Sequence, residues 1–212
     1  MIVYCVRHGE STYNAQGRLQ GQSDRPVLSA LGRQQSEATA RALLGKPIGA
    51  LFASPLRRAY ETAEIIAARL KLEVRADPRL KEINVGVFQD QLRSDLEKHH
   101  PEALREWLSG RPDYAIPGGE SRAQLARRGR EAFEEIFGLD FEQVVVVAHG
   151  GLLVSTIKSL LNIPLENPPL ALENCSITTL SRDGDGRVEL LGLNQTDHLA
   201  EVGRGGPGDL VV

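Results

Sequence analysis

The sequence predicts an α/β protein: a three-layer α/β/α sandwich with a mostly parallel central sheet, helices on both faces, and a small helical cap over the carboxyl ends of the strands. Two apolar, β-branched runs support this class, residues 1–6 and 143–148, and each leads directly towards a His-Gly pair. A helical pattern over residues 150–161 follows the second run at once, which makes a βα unit. If the two strands are parallel neighbours, His8 and His149 meet at one edge of the sheet, where open α/β sheets place their binding sites.

The composition is that of an ordinary globular protein, with 212 residues and no repeat or composition break. We therefore expect one domain over residues 1–212. A formal net charge of -3 argues against a nucleic-acid or membrane-surface binder, because such proteins normally carry a basic excess. The first apolar run is too short for a signal peptide or an anchor, so we expect a cytoplasmic protein. The sequence does not indicate an oligomeric state.

Strand and helix patterns alternate through the first half of the chain. Ser29 is placed to cap the first long helix, because its hydroxyl can accept from a free amide of the first turn. The predicted elements are an irregular loop or frayed helical turn over residues 11–24, a helix over 29–44, a strand over 49–53, a helix over 58–70 and a short strand over 72–75.

The second half begins with a loop over residues 77–90 and a polar helical pattern over 92–108, which Pro101 interrupts. We interpret residues 84–119 as a cap inserted over the site. A long helix is expected from Glu120 to about Phe137, and two Asp-Gly steps predict a hairpin between strands 175–181 and 188–193. The glycine-rich tail from residue 203 is expected to be disordered.

Strand ends and their loops bring cationic and acidic groups to one edge of the predicted sheet. They are Arg7, His8, an arginine of the Arg57-Arg58 pair, Glu82 and His149, with the backbone amides of Gly9 and Gly150. Such a pocket suits a tetrahedral oxyanion, because an arginine fork binds two phosphate oxygens and a helix start adds aligned N–H donors. No clustered Cys/His spacing suggests zinc, and we expect neither a metal nor another cofactor.

The histidine within this pocket indicates a nucleophile. Neighbouring arginines disfavour a protonated imidazole, so His8 can attack phosphorus and form a phosphohistidine. The arginines and His149 would stabilise charge on the equatorial oxygens. Glu82 is the available proton donor for the leaving oxygen. Arginines favour its carboxylate, whereas burial and a bound phosphate dianion favour the acid, so we expect Glu82 to be protonated mainly when substrate is bound.

The sequence resembles the histidine phosphatase superfamily, in its phosphoglycerate mutase-like branch. Arg7-His8-Gly9-Glu10-Ser11 matches the RHG(E/Q)(S/T) element of that family. Further matches occur in family order at Asn14, Gly21, Ser54-Pro55-Leu56-Arg57-Arg58-Ala59, Leu80-Lys81-Glu82, Gly118-Gly119-Glu120-Ser121 and Ala148-His149-Gly150, and the resemblance extends from residue 2 to about 198.

The resemblance implies specific roles for these residues. His8 is the nucleophile, Glu82 is the proton donor, and Arg58 rather than Arg57 is the phosphate ligand. Asn14, with Gln20 or Gly21, lines the phosphate pocket. The implied ligand is a small phosphorylated metabolite.

The family contains both phosphatases and mutases, which share the phosphohistidine. Its mutases resemble longer chains with an extra basic segment after the glutamate, whereas residues 84–108 are short and mixed in charge. Residues 86–90 also depart from the family's Gly-x-x-Glu-Gly pattern. We therefore favour a phosphatase acting on a small phosphomonoester. The alternatives are a phosphoglycerate-type mutase, a catalytically weak protein that binds phosphorylated ligands, and a metal-dependent hydrolase.

Other polar and aromatic residues have simpler interpretations. Gln20 is equally compatible with an ordinary polar loop. The simpler interpretations for the remaining residues are solvent-facing histidines at His99 and His100, a structural histidine at His198, a basic solvated helix face at Arg122, Arg127, Arg128 and Arg130, a packing role for Trp107, and buried thiols at Cys5 and Cys175.

Overall fold

The computed structural model describes residues 1–166 and 170–203. The tail that was expected to be disordered therefore lies outside the described residues, apart from residue 203. Within the described residues the strands are β1 Ile2–Arg7, β2 Ile48–Ala53, β3 Val74–Ala76, β4 Gln143–Ala148, β5 Ile177–Arg182 and β6 Val188–Gln195.

These strands form one mixed sheet in the order β3-β2-β4-β1-β5-β6. Strands β1, β2, β3 and β4 pair in parallel, whereas β5 is antiparallel to both β1 and β6. The predicted parallel pairing of the two apolar runs is confirmed, with Arg7 opposite Ala148. His8 and His149, one residue further along each strand, therefore leave the sheet at the same level.

Helices cover both faces of this sheet, and the predicted three-layer class is confirmed. They are α1 Thr12–Ala15, α2 Ala30–Leu43, α3 Arg57–Leu70, α4 Leu96–His99, α5 Pro101–Leu108, α6 Arg122–Phe137 and α7 Gly150–Leu160. Successive side chains of β1 point to opposite faces: Val3 and Cys5 pack in the cluster with α6 and α7, and Tyr4 and Val6 in the cluster with α2 and α3. No helix of the described residues is long and apolar enough to cross a membrane.

Helix boundaries follow local capping. Ser29 caps α2 as predicted, because its hydroxyl accepts from the Gly32 amide at 3.0 Å. Pro101 does more than interrupt the 92–108 pattern: it opens α5, where its missing N–H costs no hydrogen bond. The first hairpin strand begins at Ile177 rather than at residue 175, because Cys175 adopts a left-handed φ of 57° that does not fit a strand.

The 84–119 segment contains two 3₁₀ turns, Gly86–Phe88 and Arg93–Asp95, besides α4 and α5. Its buried side chains, including Phe88, Trp107 and Ile116, join the hydrophobic cluster that also contains α6 and α7. The start and the end of the segment lie against each other, since the Val87 amide donates to the Pro117 carbonyl at 3.0 Å.

Gly86→Ala is expected to destabilise the fold far more than Gly110→Ala. Both glycines have positive φ, 49° and 81°, so backbone strain lowers the free energy of unfolding by about 1 kcal/mol in each variant. A Cβ on Gly86 would also lie 2.1 Å from the Pro117 carbonyl oxygen, whereas a Cβ on Gly110 would meet nothing within 4 Å. The overpacking adds about 2 kcal/mol to the loss in Gly86→Ala. Urea denaturation of the two variants measures the difference, and equal losses would contradict the close approach.

Candidate active site

His8 lies at the carboxyl end of β1 and is fully buried. Its Nδ1 lies 2.7 Å from the Gly9 carbonyl oxygen. Because a carbonyl oxygen only accepts, Nδ1 carries the proton in this contact and Nε2 keeps its lone pair. Nε2 faces the Arg58 guanidinium, whose Nε donates to it at 3.2 Å. Both contacts favour the neutral tautomer with Nε2 as the nucleophilic nitrogen.

Gly9 allows the backbone to turn closely against α2. A Cβ at this position would lie 2.5 Å from the Gly32 carbonyl oxygen, so a larger residue would push the strand end away from the helix. The Gly9 amide donates to the Thr62 hydroxyl at 3.0 Å, which ties the same turn to α3. The backbone beside His8 is thus held by two helices.

Arg58 occupies the first turn of α3 and is 1% exposed. Its Nη1 donates to the Ser23 carbonyl at 3.1 Å and its Nη2 to the Gly21 carbonyl at 2.9 Å. The neighbouring Arg57 points outwards instead and pairs with Glu61 at 3.0 Å, four residues along the helix. Of the arginine pair, only Arg58 reaches His8.

Arg7 is the last residue of β1. It is 2% exposed, and its Nη1 donates to the Leu172 carbonyl at 2.5 Å. A Cβ on Gly150 would lie 3.5 Å from Arg7 Nε, so the guanidinium packs against the start of α7. Arg7 and the amides of α7 therefore border the same space.

His149 follows β4 and is fully buried, and its ring centroid lies 5.1 Å from that of His8. Its Nε2 and the Ser54 hydroxyl form a 2.7 Å hydrogen bond, whereas Nδ1 is buried with no hydrogen-bond partner among the described residues. Burial, followed by the positive charge of Arg58, holds the pKa of His149 well below its usual range near 6.5. The ring is therefore neutral at physiological pH.

The neutral His149 is expected to make the fold less stable in acid. In the folded state its pKa is depressed, so below pH 6.5 the unfolded chain binds more protons and stability falls as the pH decreases. Between pH 7 and pH 5.5 this one group accounts for about 1.2 kcal/mol of lost unfolding free energy. Urea unfolding of the wild type and His149→Gln at both pH values measures it: the variant loses less by about that amount. The same loss in both proteins would contradict a neutral His149.

Glu82 reaches the start of α7 from the loop after β3. Its Oε1 accepts from the Ile83 and Leu152 amides at 2.8 and 2.9 Å, and its Oε2 accepts from the Gly151 amide at 3.0 Å. Two of these donors belong to the first turn of a helix, whose dipole also favours a negative charge. In the substrate-free protein these amide contacts favour the charged carboxylate.

The polar loop after β1 closes the site. Asn14 and Gln20 are each 2% exposed, and their side-chain oxygens lie 2.9 and 2.7 Å from the Ser11 hydroxyl, which can donate its one proton to either of them. Gln20 is therefore a buried residue of this loop, and its part in the phosphate pocket stays a prediction. Gln20 and Gly21 line a cavity of about 20 Å³ together with Arg58 and Glu82. In this state the cavity has room for about one water molecule.

A family model described as the histidine phosphatase superfamily (branch 1) matches residues 3–196. The chain belongs to this superfamily. It is 38% identical over 178 residues to "Probable phosphoglycerate mutase GpmB" of Serratia proteamaculans, which covers 83% of this chain and 82% of the relative. The resemblance to the histidine phosphatases inferred from the sequence motifs is confirmed.

Solved structures of similar proteins share the fold of this histidine phosphatase chain. A mycobacterial glucosyl-3-phosphoglycerate phosphatase in complex with VO3 superposes with a TM-score of 0.84 at 35% identity, over 92% of this chain and 98% of the other. Bacillus stearothermophilus YhfR superposes with a TM-score of 0.87 at 28% identity, over 93% and 98%. The similar proteins are named as a mutase and as a phosphatase, so the choice between these reactions depends on the site itself.

Several neighbours of the histidine phosphatase site were not predicted from the sequence. Asn174 donates from Nδ2 to the His8 carbonyl at 2.9 Å. The Ser54 hydroxyl contacts His149, and the Thr62 hydroxyl accepts from the Gly9 amide. Ser54 belongs to a matched family segment, but no role was predicted for it from the sequence. No sequence signal singles out Thr62 or Asn174, because their contacts join segments that are far apart in the chain. No group of three or more histidine, cysteine, aspartate or glutamate side chains in the described ranges is arranged to hold a metal ion.

The basic helix face predicted on α6 is wrong for two of its four arginines. Arg122 is 6% exposed and its guanidinium lies over the buried Trp107 ring, 4.1 Å from its centroid. Arg128 turns inwards onto the loop that carries Glu82. The packing role of Trp107 is confirmed, and His198 has the expected structural contacts, to Thr39 at 3.1 Å and to the Cys175 carbonyl at 2.9 Å.

Proposed function

We propose that the protein is a metal-independent phosphatase that hydrolyses a small phosphomonoester through a phosphohistidine at His8. The observation that carries this proposal is the orientation of His8. Its Nδ1 is held by the Gly9 carbonyl, so the lone pair of Nε2 faces the Arg58 guanidinium. A nucleophilic nitrogen beside a phosphate-binding fork is the arrangement that in-line phosphoryl transfer requires.

In the first step the phosphoryl group lies between Arg7, Arg58 and the Gly150 amide, because the Gly151 and Leu152 amides already donate to Glu82. The bond between His8 Nε2 and phosphorus forms as the ester P–O bond breaks on the opposite side. Arg58 Nε then donates to a phosphoryl oxygen instead of to Nε2, which releases the lone pair for attack. His149 Nδ1, buried without a partner among the described residues, can donate to another oxygen when it carries the ring proton.

Glu82 supplies the proton that the leaving oxygen needs. The amides at the start of α7 favour its carboxylate, and a bound phosphate dianion favours the acid, so protonation follows substrate binding. After the alcohol departs, the carboxylate accepts a proton from water. That water attacks phosphorus, the N–P bond breaks, and His8 regains its lone pair with inorganic phosphate as the product.

The lining of the cavity beside Arg58 and Glu82 supports a phosphatase over a mutase. Its other walls include Ile83, Val85 and Phe88, and Arg58 is the one cationic side chain among its described lining residues. A mutase must hold an acceptor that carries its own phosphate or carboxylate, which calls for a second cationic group. The relative named as a mutase makes that activity the second candidate. In this proposal the ligand is a small phosphorylated metabolite and the protein acts in the cytoplasm, without a nucleic-acid or membrane partner.

A panel of phosphomonoesters tests the proposal, with phosphate release and positional transfer followed side by side by ³¹P NMR. The panel includes sugar phosphates, phosphoglycerates and aryl phosphates, each with and without a metal chelator. We expect phosphate release that the chelator does not change and that vanadate inhibits. Interconversion of phosphoglycerates faster than phosphate release would contradict a phosphatase, and no hydrolysis of any ester would overturn the proposal.

A further inference from the structure

We infer that Arg128 is a positioning residue for Glu82, and that Glu120 holds Arg128 in place for this task. The inference rests on the proposed function, in which Glu82 donates a proton to the leaving oxygen. Arg128 lies on α6 and contacts the main chain of the loop that carries Glu82. We call these two side chains the Arg128–Glu120 brace.

The guanidinium of Arg128 gathers three backbone carbonyls of one loop. Its Nη1 donates to the Arg79 and Lys81 carbonyls at 2.7 and 2.6 Å, and its Nη2 donates to the Glu82 carbonyl at 2.9 Å. The end of the 3₁₀ turn Pro78–Leu80 leaves such carbonyls without intrahelical partners. A guanidinium has five N–H donors, enough for these three carbonyls and for both carboxylate oxygens of Glu120, whereas an ammonium group has only three.

Glu120 fixes the other edge of the same guanidinium. Its carboxylate accepts from Arg128 Nη2 at 2.6 Å and from Arg128 Nε at 3.1 Å, a two-pronged ion pair that is less than one-fifth exposed on either side. The Glu120 carboxylate also accepts from the Asn84 amide at 2.9 Å, and the Glu120 amide donates to the Asn84 carbonyl at 2.9 Å. The brace therefore hydrogen-bonds to the main chain on both sides of Glu82, at Lys81 and at Asn84.

These main-chain contacts fix the position of the Glu82 carboxyl group, and they do not only stabilise the loop. The Glu82 carbonyl receives a second donor, Gln22 Nε2 at 2.9 Å, so the main chain of Glu82 is held between α6 and the loop after β1. With the backbone fixed there, the carboxylate reaches the Gly151 and Leu152 amides. General acid catalysis depends on such placement, since a shift of about 1 Å can cost about 10²-fold in rate.

The test compares Arg128→Lys with the matched control Arg127→Lys, an exposed arginine one residue earlier on α6. Each is assayed on benzyl phosphate, whose leaving group needs a proton, and on 4-nitrophenyl phosphate, whose leaving group does not. We expect Arg128→Lys to lower kcat on benzyl phosphate by about 10²-fold and on 4-nitrophenyl phosphate by less than about threefold. Arg127→Lys leaves both rates unchanged. Equal losses on both esters, or no loss beyond the control, would overturn the inference.

Two further proteins make every outcome informative. Glu120→Gln keeps the three carbonyl contacts of Arg128 and weakens only the ion pair, so it gives the same comparison if Arg128→Lys does not fold; we expect a selective loss of about tenfold. Glu82→Gln shows how large the leaving-group effect is without the acid. If the wild type hydrolyses no ester of the phosphomonoester panel, these two included, the proposed function and the brace fail together. If Glu82→Gln shows the selective loss and both brace variants do not, the brace alone fails.

Discussion

His8→Ala loses phosphatase activity almost completely, with kcat lower by about 10⁵-fold, as is typical when the nucleophile of a covalent mechanism is removed. Arg7, Arg58 and His149 remain in place to bind the phosphoryl group, so KM changes much less than kcat. The loss arises because the substitution removes Nε2, the nitrogen that lies 3.2 Å from Arg58 Nε and that attacks phosphorus in this mechanism. Steady-state assays on an aryl phosphate with a good leaving group measure it.

His99→Ala is the matched control for His8→Ala. His99 is an exposed histidine at the end of α4, outside the site. We expect this control to keep kcat within about twofold of the wild type, because exposed substitutions far from the site perturb little. Circular dichroism and thermal unfolding of His8→Ala separate a lost nucleophile from a lost fold. A folded His8→Ala protein that retains more than about one-hundredth of the activity would contradict a covalent role for this residue.

Glu82→Gln makes turnover strongly dependent on the leaving group. The amide side chain is nearly isosteric with the carboxylate, but it cannot donate a proton as an acid does. We expect a loss of about 10³-fold on alkyl phosphates and a much smaller loss on 4-nitrophenyl phosphate, since a stable phenolate departs without protonation. A series of substituted phenyl phosphates measures the slope of log kcat against the leaving-group pKa.

The slope should be shallow in the wild type and steep in Glu82→Gln. Part of the loss is structural, because the Gln amide group cannot accept from both the Gly151 and the Leu152 amides as the carboxylate does. That structural part lowers kcat by the same factor for all esters, so it leaves the slope of log kcat against the leaving-group pKa unchanged. Parallel lines for the two proteins would show that Glu82 is not the acid.

The fold and the centre of the site could be predicted because strong local signals coincide with simple topology. Each apolar run is buried on both faces and ends beside a histidine, and parallel pairing of β1 with β4 then brings His8 and His149 together. Arg58 needed the family resemblance, since Arg57 occupies an equally suitable place in the sequence. The structure separates the two by the face of α3 on which each lies: Arg57 pairs with Glu61 on the surface, whereas Arg58 faces His8.

Other features of the site depend on contacts between distant segments and left no local signal. Arg128 has the sequence environment of a surface arginine, with Arg127 beside it, and it is turned inwards by carbonyls more than forty residues earlier in the chain. Gln20 is buried, and its side-chain oxygen lies 2.7 Å from the hydroxyl oxygen of Ser11, nine residues earlier. The tautomer of His8 is set by the exact backbone turn at Gly9, which a sequence pattern does not specify.

The phosphohistidine at His8 is the central claim, and rapid quenching of the enzyme with a ³²P-labelled phosphomonoester tests it most directly. We predict a label that appears before inorganic phosphate is released, that is stable in base and labile in acid, and that maps to the peptide containing His8. The label should be absent in His8→Ala. Steady turnover with no protein-bound label, or a label on another residue, would contradict the mechanism.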